Sequence, residues 1–87
     1  MDLFDDPEWI SVAAGDPESG GDLVVEYADA VRAEHDELVA LSADEIRRFP
    51  GVAAIESEEP GSFVVTGTTE ADALRRYLAG WWRGRRV

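Results

Sequence analysis

The only histidine of this chain, His35, is the residue type best suited to acid–base chemistry or metal binding. It lies in the acidic run Glu34-His35-Asp36-Glu37, where a carboxylate could orient it as a general base, or where it could supply one metal ligand. Either role needs a second group that converges with the imidazole, and sequence neighbours on a helix point in different directions. No His-x-x-x-His or similar ligand spacing accompanies it. We therefore expect a solvated helix or loop position, with no metal and no cofactor.

The other residues with reactive side chains lack the spacing that catalysis requires. No carboxylate lies in an apolar run that would bury it and create the opposed pKa values of an acid–base pair, although Glu26 comes nearest. The serines occur in no Gly-x-Ser-x-Gly context, and the glycines form no phosphate-binding loop. The Asp-containing stretch 15–22 lacks the alternating spacing of a calcium loop. We expect no enzymatic activity; the alternative is a small enzyme built on His35 and a carboxylate without a known motif.

Aromatic and basic residues are mixed near the C-terminus, which reads WWRGRRV. Trp, Tyr and Arg are the types that most often dominate protein interfaces. The same types also stack on bases and pair with phosphates, or the arginines could neutralise the acids of their own chain. We expect a protein partner, with nucleic-acid binding by this tail as the alternative. The predicted partner-binding residues are Trp82, Arg75, Arg83, Arg85 and Arg86.

Helical spacing predicts different roles for the two adjacent tryptophans. Trp81 lies four residues after Tyr77 and seven after Leu74, so it continues an apolar stripe and is predicted to be core. Trp82 is rotated by about 100° from it, towards Arg75, and is predicted to lie at the border of the stripe, within reach of a partner.

The net charge of −11 at pH 7 is unevenly distributed. Residues 1–45 contain fourteen acids and one base, Arg32, for a net of −13, whereas residues 46–87 contain five acids and seven Arg, for a net of +2. Such an excess of acids repels phosphate backbones and anionic lipid and favours basic or neutral partners. Nucleic acid and membrane are therefore not expected partners, whereas self-association remains compatible with the sequence.

Composition also bears on compartment and origin. The chain has no cysteine, and small secreted domains usually contain disulfides, so a reducing compartment is favoured. The acidic N-terminus is unlike a signal peptide, and no apolar run approaches the roughly twenty residues that span a bilayer. We expect a cytoplasmic protein. All eight basic residues are Arg, a bias equally typical of a GC-rich genome and of adaptation to high salt.

The length of 87 residues predicts a single domain over 1–87. Its ends are predicted to be a frayed acidic segment at 1–8 and an Arg-rich tail at 83–87. Between them, 9–14 is predicted to be a strand and the Gly- and Pro-containing stretch 15–22 a loop.

Residues 23–41 fit two interpretations. Apolar residues recur at helical spacing, Ala is frequent and Asp22 could be the N-cap, so we favour a helix. The segments 23–27 and 37–41 would also serve as strands.

The next segment carries signals for a short helix. Ser42 and Glu45 have the spacing of a capping box, in which each side chain bonds the other residue's amide. The helix is predicted to end at Phe49, because Pro50 and Gly51 cannot continue it.

A hairpin and a second helix are predicted to follow. The strands are 52–57 and 62–67, and Pro60 and Gly61 favour a turn over 58–61, with Gly61 supplying the positive φ. The C-terminal helix is then predicted to be capped by Thr68 or Thr69 and ended by Gly80 or Gly84.

These elements predict an α+β fold, in which a small antiparallel sheet packs against two or three helices. The sheet would consist of the hairpin at about 52–67 and one further strand. The stretch FPGVAAIESEEPGSFVVTGTTEADAL resembles in pattern part of the ferredoxin-like domains, such as the heavy-metal-associated and ACT types. The resemblance covers less than half the chain, and the Cys-x-x-Cys of the metal-binding type is absent, so it implies a topology and no function. The function we expect is that of a small acidic interaction module, such as an adaptor, accessory subunit or inhibitor-like partner.

Overall fold

The computed structural model describes residues 7–15 and 23–86, and these form a four-stranded antiparallel sheet with helices packed on it. The predicted α+β class is confirmed, with one strand more than the three expected. A 3-10 turn (Pro7–Trp9) precedes the first strand. The strands are β1 (Ile10–Ala14), β2 (Leu23–Tyr27), β3 (Val52–Glu59) and β4 (Ser62–Gly67); the helices are α1 (Asp29–Glu34), α2 (Asp36–Arg48) and α3 (Ala71–Arg86).

The strand order is β1-β2-β4-β3, and every neighbouring pair is antiparallel. Strands β2 and β3 are therefore parallel to each other with β4 between them, so β2, the helices α1 and α2, and β3 form a split βαβ unit. This unit, with β4 and α3, contains the helix–hairpin–helix pattern that the sequence shares with ferredoxin-like domains. A ferredoxin-like βαββαβ chain ends on a strand, whereas this chain places a strand, β1, before the unit.

The helices lie on one face of the sheet. Helix α2 packs over β3, α3 packs over β1, and the two helices contact each other. The core lies between the layers, where the side chains of alternate strand residues meet the apolar faces of the helices. Its members are Trp9, Ile10, Leu23, Val25, Tyr27, Val31, Val39, Ile46, Phe63, Val65, Leu74, Leu78 and Trp82.

The helix predicted over 23–41 is wrong for its first five residues and right for most of the rest. Leu23, Val25 and Tyr27 are buried, whereas Val24 lies partly exposed and Glu26 exposed on the opposite face, as strand alternation requires. Within residues 23–27 the spacing of the apolar residues fits a helix as well as a strand. The strand is selected because β2 lies at the centre of the sheet and pairs with β1 and β4 on its two sides.

The capping box predicted at Ser42 and Glu45 is wrong, because α2 begins six residues earlier, at Asp36. Ser42 lies inside the helix, fully buried, and its hydroxyl donates to the Val39 carbonyl at 2.7 Å. The predicted end of the helix is confirmed: α2 stops at Arg48 and Phe49 is its C-cap.

The predicted hairpin is confirmed. Strand β3 extends to Glu59, two residues further than predicted, so that only Pro60 and Gly61 form the turn. Gly61 has φ 85°, the positive value that its place in the turn predicted.

The C-terminal helix does not end at Gly80 or Gly84, as predicted, but continues through both to Arg86. A helical glycine costs about 1 kcal/mol, less than α3 gains by keeping its second half packed on the core. The helix begins at Ala71, and the Thr69 hydroxyl donates to the Pro50 carbonyl at 3.0 Å.

The strand predicted at 9–14 is confirmed from Ile10. Most of the predicted frayed segment (1–6), most of the predicted loop (16–22) and the predicted N-cap Asp22 lie outside the described residues.

Candidate functional site

The prediction that Trp81 is core and Trp82 faces a partner is wrong, because the two roles are exchanged. Trp82 is 0% exposed, whereas Trp81 is only partly buried. The buried stripe of α3 advances in steps of four residues, through Leu74, Leu78 and Trp82. Residues three or four positions apart lie on the same face of a helix, so the sequence is compatible with either Trp81 or Trp82 in the buried stripe. Helix α2 lies on the Tyr77–Trp81 side of the stripe, which leaves Trp81 at the boundary between the two helices.

Trp82 is held in an aromatic cluster that leaves it no contact to offer a partner. Its ring lies 5.7 Å from that of Trp9, 5.4 Å from that of Tyr27 and 5.9 Å from the imidazole of His35. The indole N–H donates to the Tyr27 hydroxyl at 3.0 Å, and that hydroxyl donates to the Ser42 Oγ at 2.8 Å. Burial raises the pKa of Tyr27 above the ordinary tyrosine value, against the smaller lowering effect of these two bonds. Every polar group of this relay is satisfied, so its role is structural.

His35 lies between α1 and α2, where its ring is edge-on to Trp82 and partly buried. This differs from the solvated position expected, since the imidazole contributes to the border of the core. Within residues 7–15 and 23–86, no group of three or more His, Asp or Glu side chains could hold a metal ion.

Trp81 carries the one buried side-chain donor or acceptor that lacks a partner in the described part of the chain, its indole N–H. The Arg85 guanidinium lies over the Trp81 ring, 5.4 Å from the ring centroid, as in a cation–π contact. An unpaired buried N–H costs roughly 1–3 kcal/mol, and a bound acceptor would remove that cost.

A shallow surface around Trp81 joins the two helices. We call it the α2–α3 surface and define it by Leu41, Glu45, Arg48, Tyr77, Trp81 and Arg85. Leu41 and Tyr77 are 52% and 40% exposed, and they are the exposed large hydrophobic residues of the described chain. A recess of about 190 Å³ opens beside Trp81, with Leu41 and Glu45 in its wall. The sequence alone does not indicate that Leu41 is exposed, because Leu41 is the last apolar residue in the stripe of the predicted helix. Which element packs against that stripe does not follow from the sequence.

Acidic and basic groups lie together on the rim of the α2–α3 surface. The Tyr77 hydroxyl donates to a Glu45 carboxylate oxygen at 2.6 Å, and Arg48 lies 3.6 Å from the other oxygen of that carboxylate. The Glu45 bond is the main reason that the pKa of Tyr77 is raised above the ordinary tyrosine value. The rim is therefore polar and ordered by its own contacts, around an apolar centre.

The arginines of the predicted partner-binding set do not share one surface. Arg85 belongs to the α2–α3 surface, whereas Arg75 donates to the Pro7 carbonyl at 2.7 Å, beside β1. Arg83 is exposed two residues before Arg85, about 200° around the helix from it. The side chain of Arg86 lies outside the described part of the structure. No carboxylate among the described residues forms an ion pair with Arg83 or Arg85.

Arg32, the lone base of the first half, has a structural role that the sequence did not indicate. Its guanidinium donates to the Tyr27 carbonyl at 2.8 Å and pairs with Glu59 at 3.3 Å and Glu26 at 3.7 Å. A second recess, of about 310 Å³, lies beside it, lined by Glu8, Ser11, Glu26, Tyr27, Ala28 and Asp29. Three carboxylates line this recess and Arg32 is its only base, which makes it acidic.

No helix of the described residues is long and apolar enough to cross a membrane. No protein-family model, curated protein or solved structure matches the chain.

Proposed function

We propose that this chain is a non-enzymatic interaction module that binds a partner protein through the α2–α3 surface. The observation that carries the proposal is that Leu41 lines the recess beside Trp81 and that Tyr77 lies one helical turn before Trp81 on α3. Two exposed large hydrophobic side chains thus border a tryptophan whose buried N–H has no acceptor among the described residues. Tryptophan, tyrosine and arginine are the usual hot-spot types, and hot spots lie at apolar centres surrounded by polar rims.

The occupant we propose is an amphipathic helix of the partner. The α2–α3 surface is a shallow groove between two packed helices, and a third helix lying along it would cover Leu41, Tyr77 and Trp81 with one apolar face. The rim presents Asp44 and Glu45 together with Arg48 and Arg85, so a partner helix with flanking charges of both signs fits it. A side-chain oxygen of that helix would accept from the Trp81 N–H. Because this nitrogen is shielded from solvent, binding would require the side chains around it to shift.

The experiment is affinity capture from the native host, followed by binding measurements with the purified partner. The wild-type chain and the double variant Leu41→Ala/Tyr77→Ala serve as baits. Arg85→Ala is compared with Arg76→Ala, a matched control on the same helix, because position 76 lies nine residues earlier and about 180° around the axis.

We expect the double variant to weaken binding at least tenfold and Arg85→Ala to weaken it more than Arg76→Ala. Equal affinities for all four proteins would contradict the proposed site. A captured nucleic acid, retained with purified components, would replace the protein-partner proposal with the nucleic-acid alternative. That alternative has one exposed ring fewer for stacking on bases, because Trp82 is buried in the core.

A further inference from the structure

The sheet face opposite α2 and α3 is covered by no described element at its centre, whereas Arg32 of α1 contacts Glu26 and Glu59 at one end of it. Strand register places Ala13, Val24 and Val64 in one row across β1, β2 and β4, and Thr66 pairs with Ala54 beside it. These side chains are small and none is fully buried. We call the surface they form, with Ser11, Glu26, Glu56 and Glu59 at its margins, the outer sheet face. Its centre consists of small, mostly apolar side chains, which suits packing against another protein surface.

The margins of the outer sheet face are acidic. Glu26 and Glu59 have 55% and 61% of their side chains exposed, and both contact the same base, Arg32. Glu56, opposite Val64 on β3, is exposed and forms no ion pair with any described residue. Arg32 therefore pairs with two of the three carboxylates and Glu56 stays unpaired among the described residues, so this face remains negative after its internal pairing.

The negative charge of the outer sheet face disfavours some classes of binding partner and favours others. A second copy of the chain, placed face to face, would bring two negatively charged faces together, and like charges in an interface are unfavourable. Phosphate-bearing polymers and anionic lipid are repelled for the same reason. A protein surface with Arg or Lys around a flat apolar centre has complementary charge.

We propose that the outer sheet face is a second protein-binding surface, and that it takes a partner with a flat, basic contact surface. The proposal does not depend on the α2–α3 surface, because the sheet itself separates the two. If both surfaces are used, the chain joins a basic protein on one side to an amphipathic helix on the other, which is the action of an adaptor.

The test is an NMR titration of the ¹⁵N-labelled protein with a defined probe, a nine-residue peptide of alternating Arg and Val. Its Glu–Val counterpart is the charge-reversed control. We expect saturable shifts of the amides of Ala13, Val24 and Val64 with the Arg peptide, weakened by salt, and none with the Glu peptide.

Two matched double variants separate local contact from overall charge. Glu26→Gln/Glu56→Gln removes two carboxylates from the outer sheet face, and Glu34→Gln/Glu37→Gln removes two exposed carboxylates from α1 and α2. We expect the first to weaken binding roughly three- to tenfold and the second to change it less than twofold. Glu56→Gln alone, which breaks no described ion pair, should weaken binding without altering the unfolding temperature.

Several outcomes would overturn the proposal. Absence of saturable binding, equal effects of the two double variants, or shifts confined to the helices would each do so. Shifts confined to the free edge of β3 would assign the peptide to strand addition instead. Sedimentation of a dimer that Val64→Arg dissociates would assign the face to a second copy.

Discussion

The indole N–H of Trp82 donates a hydrogen bond of 3.0 Å to the hydroxyl of Tyr27, a residue 55 positions earlier in the chain. The Tyr27 hydroxyl in turn donates to Ser42 on α2, at 2.8 Å. One relay of buried polar atoms therefore joins the central strand to both long helices. Because an unsatisfied buried group is costly, the relay penalises any packing in which these three elements do not meet in this register.

Removing the central hydroxyl of this relay should destabilise the fold although the ring remains. We expect Tyr27→Phe to lower the free energy of unfolding by about 1–3 kcal/mol, because the buried Trp82 N–H then has no acceptor there. Ser42→Ala should also destabilise the fold, because the buried Tyr27 O–H then loses its acceptor and the Val39 carbonyl loses the Ser42 donor. Urea unfolding of both variants and of the double variant measures the coupling between them. Additive losses would show that the two hydroxyls do not act together.

The two adjacent tryptophans should differ sharply in their contributions to stability. We expect Trp82→Ala to cost about 3–5 kcal/mol, because it empties the centre of the aromatic cluster. Trp81→Ala should cost roughly 1–2 kcal/mol, because its ring is partly exposed and its unpaired N–H is removed with it. Thermal and urea unfolding of the two single variants compare them directly. A larger loss for Trp81 than for Trp82 would contradict the packing described here.

Those two tryptophans illustrate which parts of the structure could be predicted from the sequence. The hairpin turn at Pro60-Gly61 and the end of α2 before Pro50 depend on backbone chemistry within a few residues, and both were predicted. The structure of Leu23–Tyr27 was not, because its strand exists only through pairing with β1 and β4. The choice between Trp81 and Trp82 likewise depends on Trp9, Tyr27 and α2, all distant in sequence.

The same limit applies to the candidate site. Arg85 belonged to the predicted set because its type and its aromatic neighbour were visible in the sequence. Leu41 was missed, because its exposure beside Trp81 follows from how α2 and α3 are placed on the sheet.

Two glycines should respond to alanine in opposite directions. Gly67 has φ 146°, and a Cβ there would collide with the Gly51 carbonyl oxygen. The backbone strain alone costs about 1–3 kcal/mol, and the collision adds to it, so Gly67→Ala should be strongly destabilising. Gly80 lies within α3, and no atom would crowd a Cβ there. Gly80→Ala should therefore stabilise the protein, by about 0.5–1 kcal/mol. Urea unfolding measures both changes. A destabilising Gly80→Ala would indicate that α3 does not continue as a regular helix through this position.

The bond between Tyr77 and Glu45 should be visible in the titration of Tyr77. The hydrogen bond to the Glu45 carboxylate holds the pKa of Tyr77 above the ordinary tyrosine value of about 10, with smaller contributions from desolvation and from the charge of that carboxylate. A raised pKa in the folded state means that the bond stabilises the fold fully below the unfolded-state pKa. Its contribution is lost as the pH rises through the raised folded-state pKa.

The measurement is a pH titration of the protein labelled with ¹³C at the tyrosine Cζ, which resolves Tyr77 from Tyr27, the other tyrosine of the chain. We expect Glu45→Gln to bring the midpoint of Tyr77 back towards the ordinary value, because it removes the charged acceptor. Asp44→Asn is the matched control, since Asp44 is the adjacent carboxylate and contacts Arg47 at 3.3 Å rather than Tyr77. In Asp44→Asn the titration midpoint of Tyr77 should stay close to that of the wild type. If both variants shifted the midpoint equally, general electrostatic repulsion rather than the Tyr77–Glu45 bond would set the pKa, and the ordered rim of the α2–α3 surface would lose its main contact.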